Sequence, residues 1–350
     1  MFIGITGPSG SGKHLVAQYL VEKHNFQCLT LDSCLDTFER EGLYNDAKRF
    51  TDPQAMQTYV TERWEDNFVT CDVDCRDLWI LKKRPFFLLV AVEAPITTRY
   101  KRCAARFKAV NAQTLDLEEF LIQDDRTVYN ISSEDAEEIH TITPLYNIMV
   151  SSDLVITNIY KDKCSLYNAL DGRDLTNKER LRPTWDTYFM QLSDLAARRS
   201  NCMKRRVGCI LTKDSRVIAT GYNGTPRGLR NCNEGGCPRC NEGAPCGTAL
   251  DRCLCMHAEE NALLEAGRGS VVYDNGVVLY CNTCPCLGCA IKIIQQGVKE
   301  VVYSRSYGMD LMTAKVFKEA GVKLRQHSPP STITELRTDI EEEIALLELK

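Results

Sequence analysis

No apolar run in this 350-residue chain is long enough to span a bilayer, and no signal-peptide pattern is present. The expectation is a protein without a membrane partner, in the cytoplasm and also the nucleus. A basic excess is missing too: 43 Lys and Arg stand against 47 Asp and Glu, a net charge of −4. Overall charge therefore gives no reason to expect a nucleic-acid partner. There is no internal repeat and no low-complexity segment, which sets repeat architectures aside. What remains, 44% hydrophobic and 26% charged residues, is an ordinary globular composition, with length enough for two domains.

Cysteine, by contrast, is abundant. There are eighteen, ten of them between Cys232 and Cys289. In a chain without a secretion pattern they point to a reducing compartment and to metal rather than to disulfides. Two stretches carry the chemistry: Cys255-Met256-His257-Ala258-Glu259-Glu260-Asn261-Ala262 and Thr283-Cys284-Pro285-Cys286-Leu287-Gly288-Cys289-Ala290. Together they make His-x-Glu followed by Pro-Cys-x-x-Cys, a pattern that resembles the zinc-dependent nucleobase deaminases. One imidazole and two thiolates hold Zn²⁺ and leave a fourth tetrahedral position for water, whose pKa the metal lowers to about 7. Glu259, two residues from His257, can sit beside the metal without binding it and shuttle protons. Cys286 and Cys289 lie one turn apart just after Pro285, at a helix start whose dipole favours thiolates. Cys281 and Cys284 compete as ligands; the proline and the helix start favour the later pair. A Cys-x-x-Cys alone also serves structural zinc knuckles and redox pairs, but here each half of the pattern opens a helical apolar repeat.

Residues 1–170 read as an α/β unit. A strand at residues 2–6 leads into Gly7-Pro8-Ser9-Gly10-Ser11-Gly12-Lys13, which has the Gly-x-x-x-x-Gly-Lys spacing of a phosphate-binding loop, and then into a helix through Leu15, Val16 and Leu20. Gly7, Gly10, Gly12 and Lys13 are the candidate nucleotide ligands: backbone amides and one positive charge. His14 stands where Ser or Thr would ligate Mg²⁺, and that ion prefers oxygen. Residues 86–92 read as a buried strand. Arg99, Arg102 and Arg106 follow at near-helical spacing as a candidate lid over phosphates, and residues 152–158 add a late strand. In this order the motifs resemble the dephospho-coenzyme A kinase and nucleoside monophosphate kinase group, which implies a P-loop kinase-like parallel sheet. His14 leaves open whether this domain is a working site or a scaffold.

Residues 171–183 are polar, without apolar period, and read as a linker. Beyond it Trp185, Tyr188, Phe189, Leu192, Leu195 and Ala196 keep a helical stripe, read as core. Strands at 207–212 and 216–221 flank the turn Lys213-Asp214-Ser215. Then come a helix from His257, a strand at 277–281, a helix from Cys286, a strand at 300–304, a helix at 311–319 and a strand at 322–325. Gly297 and Gly321 sit where helices should stop. This alternation predicts an αβα sheet covered by helices. Four stretches now come together: residues 200–209 (Ser-Asn-Cys-Met-Lys-Arg-Arg-Val-Gly-Cys), residues 221–228 (Gly-Tyr-Asn-Gly-Thr-Pro-Arg-Gly), residues 257–262 and residues 285–289. On them, residues 184–327 resemble the deoxycytidylate (dCMP) deaminases of the cytidine deaminase fold, and the kinase-like half resembles the fungal members. The resemblance implies zinc, conversion of dCMP and water to dUMP and ammonia for thymidylate synthesis, a homo-oligomer, and dCTP and dTTP as effectors.

A nucleotide substrate needs a site for its phosphate dianion, and Lys204, Arg205, Arg206, Arg227 and Arg230 lie near the strands that should flank the pocket. Asn223, between a strand and Gly224, is a candidate to hydrogen-bond a sugar hydroxyl. The insertion holding Cys232, Cys237, Cys240, Cys246, Cys253 and Cys255 is rich in glycine and proline and cannot build an apolar core; a closed four-ligand zinc site would order it. In phage members of the resembled family, cysteines corresponding to Cys202 and Cys232 help bind a structural zinc whose other ligands are histidines. Here cysteines stand in their place, and the set stays open among these seven. Residues 328–350 open with two prolines and then carry Leu336, Ile340, Ile344 and Leu347 on one helical stripe. Two other functions compete: deamination of a nucleoside or a tRNA base, with residues 198–206 as an RNA patch, and a zinc-stabilised nucleotide-binding regulator.

Overall fold

The computed structural model describes residues 1–32, 46–73, 75–111, 114–130, 144–245, 248–267, 269, 276–306 and 311–330. The carboxy-terminal stripe and Cys246 lie outside them. The chain divides between Arg182 and Pro183 into two compact units.

In the first unit six strands, β1 (Phe2–Thr6), β2 (Gln27–Leu31), β3 (Lys48–Phe50), β4 (Phe68–Thr70), β5 (Phe87–Glu93) and β6 (Leu154–Thr157), form one sheet in the order β3-β2-β4-β1-β5-β6. Every pairing in it is parallel. A parallel sheet is covered on both faces, which is why β1 and β5 read as near-continuous apolar runs. Ile3, Ile5, Val90 and Leu20 meet on one face; Phe2, Leu29, Phe68 and Leu89 meet on the other. The stretch read as a linker is not free. Leu175 is buried in the first of these clusters, and Asn177 caps a short 3₁₀ turn, Lys178–Arg180. Two leucines six residues apart in a polar segment, Leu175 and Leu181, carry no helical or strand period, so this packing had no sequence signal.

In the second unit β7 (Gly208–Lys213), β8 (Arg216–Tyr222), β9 (Val277–Thr283), β10 (Glu300–Arg305) and β11 (Lys323–Gln326) lie in the order β11-β10-β9-β7-β8. β9, β10 and β11 are mutually parallel, joined by the helices Leu287–Gln296 and Leu311–Glu319, while β7 runs antiparallel to both its neighbours. Alternation along the strands sends Cys209, Leu211, Leu279 and Cys281 to one face, against Ala258, Ala262, Ile293 and Phe317. Ile210, Tyr280 and Val302 go to the other, against Phe189 and Met190 of helix Trp185–Ala197. The sheet is thus sandwiched between helices. Two glycines set the spacing of the layers. A Cβ on Gly208 would strike the backbone of Ser193 and Ala197, and one on Gly221 the backbone of Ala258 and Ala262. The stripe read as core on helix Trp185–Ala197 is core only in part. Phe189 is buried, but Trp185, Tyr188 and Leu195 are exposed, because a helix on one sheet face buries only the side turned to it.

Among the described residues no helix is long and apolar enough to cross a membrane. The far edge of the second sheet is pinned by charge. The Arg325 guanidinium donates to both Asp186 oxygens at 2.6 and 2.8 Å, and the Tyr280 hydroxyl donates to Asp186 at 2.9 Å. Arg325 holds the Asp186 carboxyl below its usual range. A depressed carboxyl contributes stability above its unfolded pKa, about 4, and loses it as pH falls through the folded value. Asp186→Asn should therefore cost about 2 kcal/mol at neutral pH, with the gap to the wild type closing below about pH 4 in denaturation curves.

Candidate active site

Two helix starts meet over the end of the second sheet. His257 is the N-cap of helix Ala258–Ala266, and Cys286 is the N-cap of helix Leu287–Gln296. His257 Nδ1 lies 3.3 Å from Cys289 Sγ and 3.4 Å from Cys286 Sγ. Glu260 holds the arrangement from behind: it accepts the His257 N–H at 3.1 Å and pairs with Lys292 of the second helix. Asn261 ties the first helix to β8 by donating to the Tyr222 carbonyl at 3.0 Å. Neither Glu260, Asn261 nor Lys292 stood out in the sequence; Glu260, three residues past an N-cap, carried the capping-box signal.

The electrostatics suit a cation. Hydrogen bonds from Cys289 and His257 hold the Cys286 thiol down to about 3, while Cys286 and burial push Cys289 up and Cys286 pulls the His257 pKa up. A divalent ion binding to such a set displaces the protons that the three donors share. One imidazole and two thiols within 4.8 Å of one another, two of them open to a cavity, fit a catalytic zinc with a free position. Glu259 is 4% exposed, and its burial raises the carboxyl pKa.

The competing cysteines fall outside this three-donor set, although Cys284 lines the same cavity. Cys281 pairs across β7–β9 with Cys209 and packs in the core, its thiol pushed well up by Cys209 and burial; burial likewise raises Cys284 to about 11.

A cavity of about 830 Å³ opens on this cluster, lined by His257, Glu259 and Cys286 and also by Lys204, Arg205 and Asn223. Arg206, Arg227 and Arg230 are exposed and are not among its lining residues. Asn223 has much of its amide committed already: Oδ1 accepts from Val207 N and Nδ2 donates to the Arg205 carbonyl, both at 2.8 Å. One N–H and one lone pair remain. Lys204 Nζ bonds the Ala244 carbonyl. Two lining residues had no sequence signal. Arg239 is buried and donates to the Thr248 carbonyl at 2.7 Å; the Thr313 hydroxyl is buried without a hydrogen-bond partner among the described residues.

Six cysteines form a second cluster beside the cavity, Cys202, Cys232, Cys237, Cys240, Cys253 and Cys255. In the first unit, Lys13 Nζ bonds the Gly7 carbonyl at 3.1 Å, and the Ser11 hydroxyl is buried without a partner among the described residues. Gly7, Gly10 and Gly12 all have positive φ. The arginines read as a lid divide. Arg99 is buried in an ion pair with Asp124, and Arg102 donates to the Gly10, Ser11 and Tyr160 carbonyls. Arg106 lines a cavity of about 470 Å³ with Gly10, Gly12, Lys13 and His14.

Fold and site together define a zinc-dependent deaminase of the cytidine deaminase class. Residues 183–305 match the cytidine and deoxycytidylate deaminase zinc-binding region, and residues 3–119 match an AAA domain. A deoxycytidylate deaminase of Schizosaccharomyces pombe is 48% identical over 330 residues, 94% of this chain and 98% of its own. One from Saccharomyces cerevisiae is 40% identical over 334 residues, 94% of this chain and 97% of its own. A third, from Mycobacterium phage D29, is 40% identical over 129 residues, 35% of this chain and 97% of its own. The chain belongs to the deoxycytidylate deaminase family.

Gly221 is the tightest point of the scaffold that carries His257. Gly221→Ala should push helix Ala258–Ala266 off β8, costing about 1–3 kcal/mol in denaturation and lowering bound zinc in the purified protein.

Proposed function

We propose that the second unit hydrolyses dCMP to dUMP and ammonia. One observation carries the reading: a single cavity is lined by the His257 and Cys286 donors, a buried carboxyl and the cations Lys204 and Arg205. Zinc held by His257, Cys286 and Cys289 would supply an acidified water and a Lewis acid at the cytosine C4. Glu259 takes one proton of the attacking water and gives it to ring N3. It then takes the remaining proton of the hydroxyl added at C4 and passes it to the exocyclic amine as ammonia leaves. Its raised pKa suits both directions of transfer. Lys204 and Arg205 bind the 5′-phosphate by charge-assisted hydrogen bonds, with Arg206 and Arg227 at longer range. Asn223 orients the sugar with the donor and acceptor its backbone bonds leave over.

The partners follow the same reading: dCTP and dTTP as effectors, and a homo-oligomer in which a second copy covers the exposed Trp185, Tyr188 and Leu195. Free thiols in such number suit the cytoplasm and nucleus.

The test is kcat/KM for dCMP beside deoxycytidine, with Glu259→Gln as control. dCMP should be preferred by about 10- to 100-fold or more, the worth of a few charged hydrogen bonds. Glu259→Gln should keep its zinc and lose about 10²-fold or more in rate. Equal kcat/KM for the two substrates would count against a nucleotide site, and an active zinc-loaded Glu259→Gln would remove that residue from the mechanism.

For the first unit we propose nucleotide or phosphate binding through Gly7, Gly10, Gly12 and Lys13, with slow or no phosphoryl transfer. The loop has the backbone freedom and the charge to hold a phosphate, and its cavity extends past Arg106, Tyr160 and Lys161. His14 lacks the hydroxyl that fixes Mg²⁺ against the phosphates during transfer. Equilibrium binding of ATP should therefore be nearly the same in EDTA and in Mg²⁺, and Lys13→Ala should weaken it by about 10-fold, the worth of one charged contact. Fast Mg²⁺-dependent ATP turnover by the wild type, or binding indifferent to Lys13→Ala, would overturn this.

A further inference from the structure

The six-cysteine cluster contains more donors than one tetrahedral ion can use. Its sulfurs fall into two sets of four, each mutually within 4.8 Å: Cys202, Cys232, Cys240 and Cys255, and Cys237, Cys240, Cys253 and Cys255. The sets share Cys240 and Cys255. The geometry points to a binuclear site in which two zinc ions are bridged by the Cys240 and Cys255 thiolates, Cys202 and Cys232 completing one tetrahedron and Cys237 and Cys253 the other.

The separations support it. A tetrahedral zinc with four sulfurs at 2.3 Å has sulfur–sulfur edges of about 3.8 Å. Cys240 Sγ lies 3.9 Å from Cys202 Sγ and 4.0 Å from Cys255 Sγ. A disulfide would need about 2.05 Å, and all six cysteines are free. The thiolates of a four-iron cluster bind different irons and stand further apart than the edges of one tetrahedron, and a two-iron cluster takes four thiolates rather than six. Tetrahedral all-sulfur sets suit zinc or iron–sulfur chemistry, and six thiolates in two edge-sharing tetrahedra fit two zinc ions.

Charge divides the six in the same way. Six thiolates around two divalent ions keep a double negative charge, which the protein must offset. Each unshared sulfur takes an N–H bond: Cys202 from the backbone of Lys204 and Arg205, Cys232 from Met203 N at 3.5 Å, Cys237 from Leu254 N at 3.4 Å, and Cys253 from the Arg239 guanidinium at 3.8 Å. The two shared sulfurs would be neutralised by binding two cations each. Hydrogen bonds from Asn241 and Arg239 to backbone carbonyls tie its turns, but among the described residues the insertion's only buried cluster is its cysteines. Cys232, Cys237 and Cys240 are buried against the other three cysteines in a cluster of their own, so the ions would replace an apolar core. The position matters for the reaction as well. Cys255 is two residues before His257 and Cys202 two before Lys204, and the Gly224–Met256 bridge fastens the segment between Cys255 and His257 to the loop after β8.

Elemental analysis of the purified, reduced wild type should find three zinc ions per chain, one for each donor group, and two in His257→Ala. Cys253→Ser should lose one cluster ion, whereas Cys240→Ser should lose both. Should a cysteine variant fail to fold, cadmium-113 spectra of the substituted wild type decide without it. Two thiolate-bound cluster resonances, coupled to each other through shared sulfur, are expected. A fully loaded wild type with two zinc ions and His257→Ala with one, a single cluster resonance, or iron in place of zinc would each overturn the binuclear site.

Discussion

The meeting of His257 Nδ1 with the sulfurs of Cys286 and Cys289, at 3.3 to 3.4 Å, is the constraint the second unit is built around. Donors some thirty residues apart can meet only if two helices start at the same point over the same sheet end. β9, between the helices in sequence, and its parallel pairing with β10 fix where the second helix begins; β8 carries the first. Gly221 lets that helix come down onto the strand, and Glu260 joins the two helix starts by capping one and pairing with Lys292 of the other. N-cap positions also place both donors at the positive ends of helix dipoles, where a thiolate costs least.

Burial does separate work on each acid in that space. Glu259 sits on the buried side of its helix, so its carboxyl holds a proton more readily than a surface glutamate. Cys286 faces the cavity with its thiol held low by Cys289 and His257, while Cys289 is buried. Cys281 and Cys209, equally buried but paired with each other across the sheet, behave as small core residues. Four cysteines within nine residues thus have different fates: the alternation of β9 turns Cys281 into the core, while the start of the next helix places Cys286 and Cys289.

In the first unit the same logic holds a loop rather than a metal. Gly7 and Gly12 cannot carry side chains because the carbonyl of Val92 and the amide of Asn158 occupy that space. Arg102 donates to the Gly10 and Ser11 carbonyls and Asn158 to the Ser11 carbonyl, which pins the loop's backbone. Lys13 is bonded to its own loop, and the buried Ser11 hydroxyl has no hydrogen-bond partner among the described residues.

Short-range spacing was enough to read much of this. His-x-Glu, Pro-Cys-x-x-Cys and the glycine loop are local patterns, and a helix start or a strand-to-helix turn fixes their geometry within a few residues. The apolar runs of β1, β5, β9 and β10 announced the strands for the same reason, while β3 and β4, three residues each, were too short to show a period. Closure over long separations decided the rest. Arg99 turned from the loop because Asp124 lay within reach on another helix. Asn223 spent half of its amide's bonding capacity on the backbone of the segment before β7. The cysteines of the insertion sorted into two overlapping sets only when residues from 202 to 255 folded together. The sequence determined which donors exist and which neighbours share a face. Which donors share one point in space depended on how distant segments pack, and local spacing does not encode that.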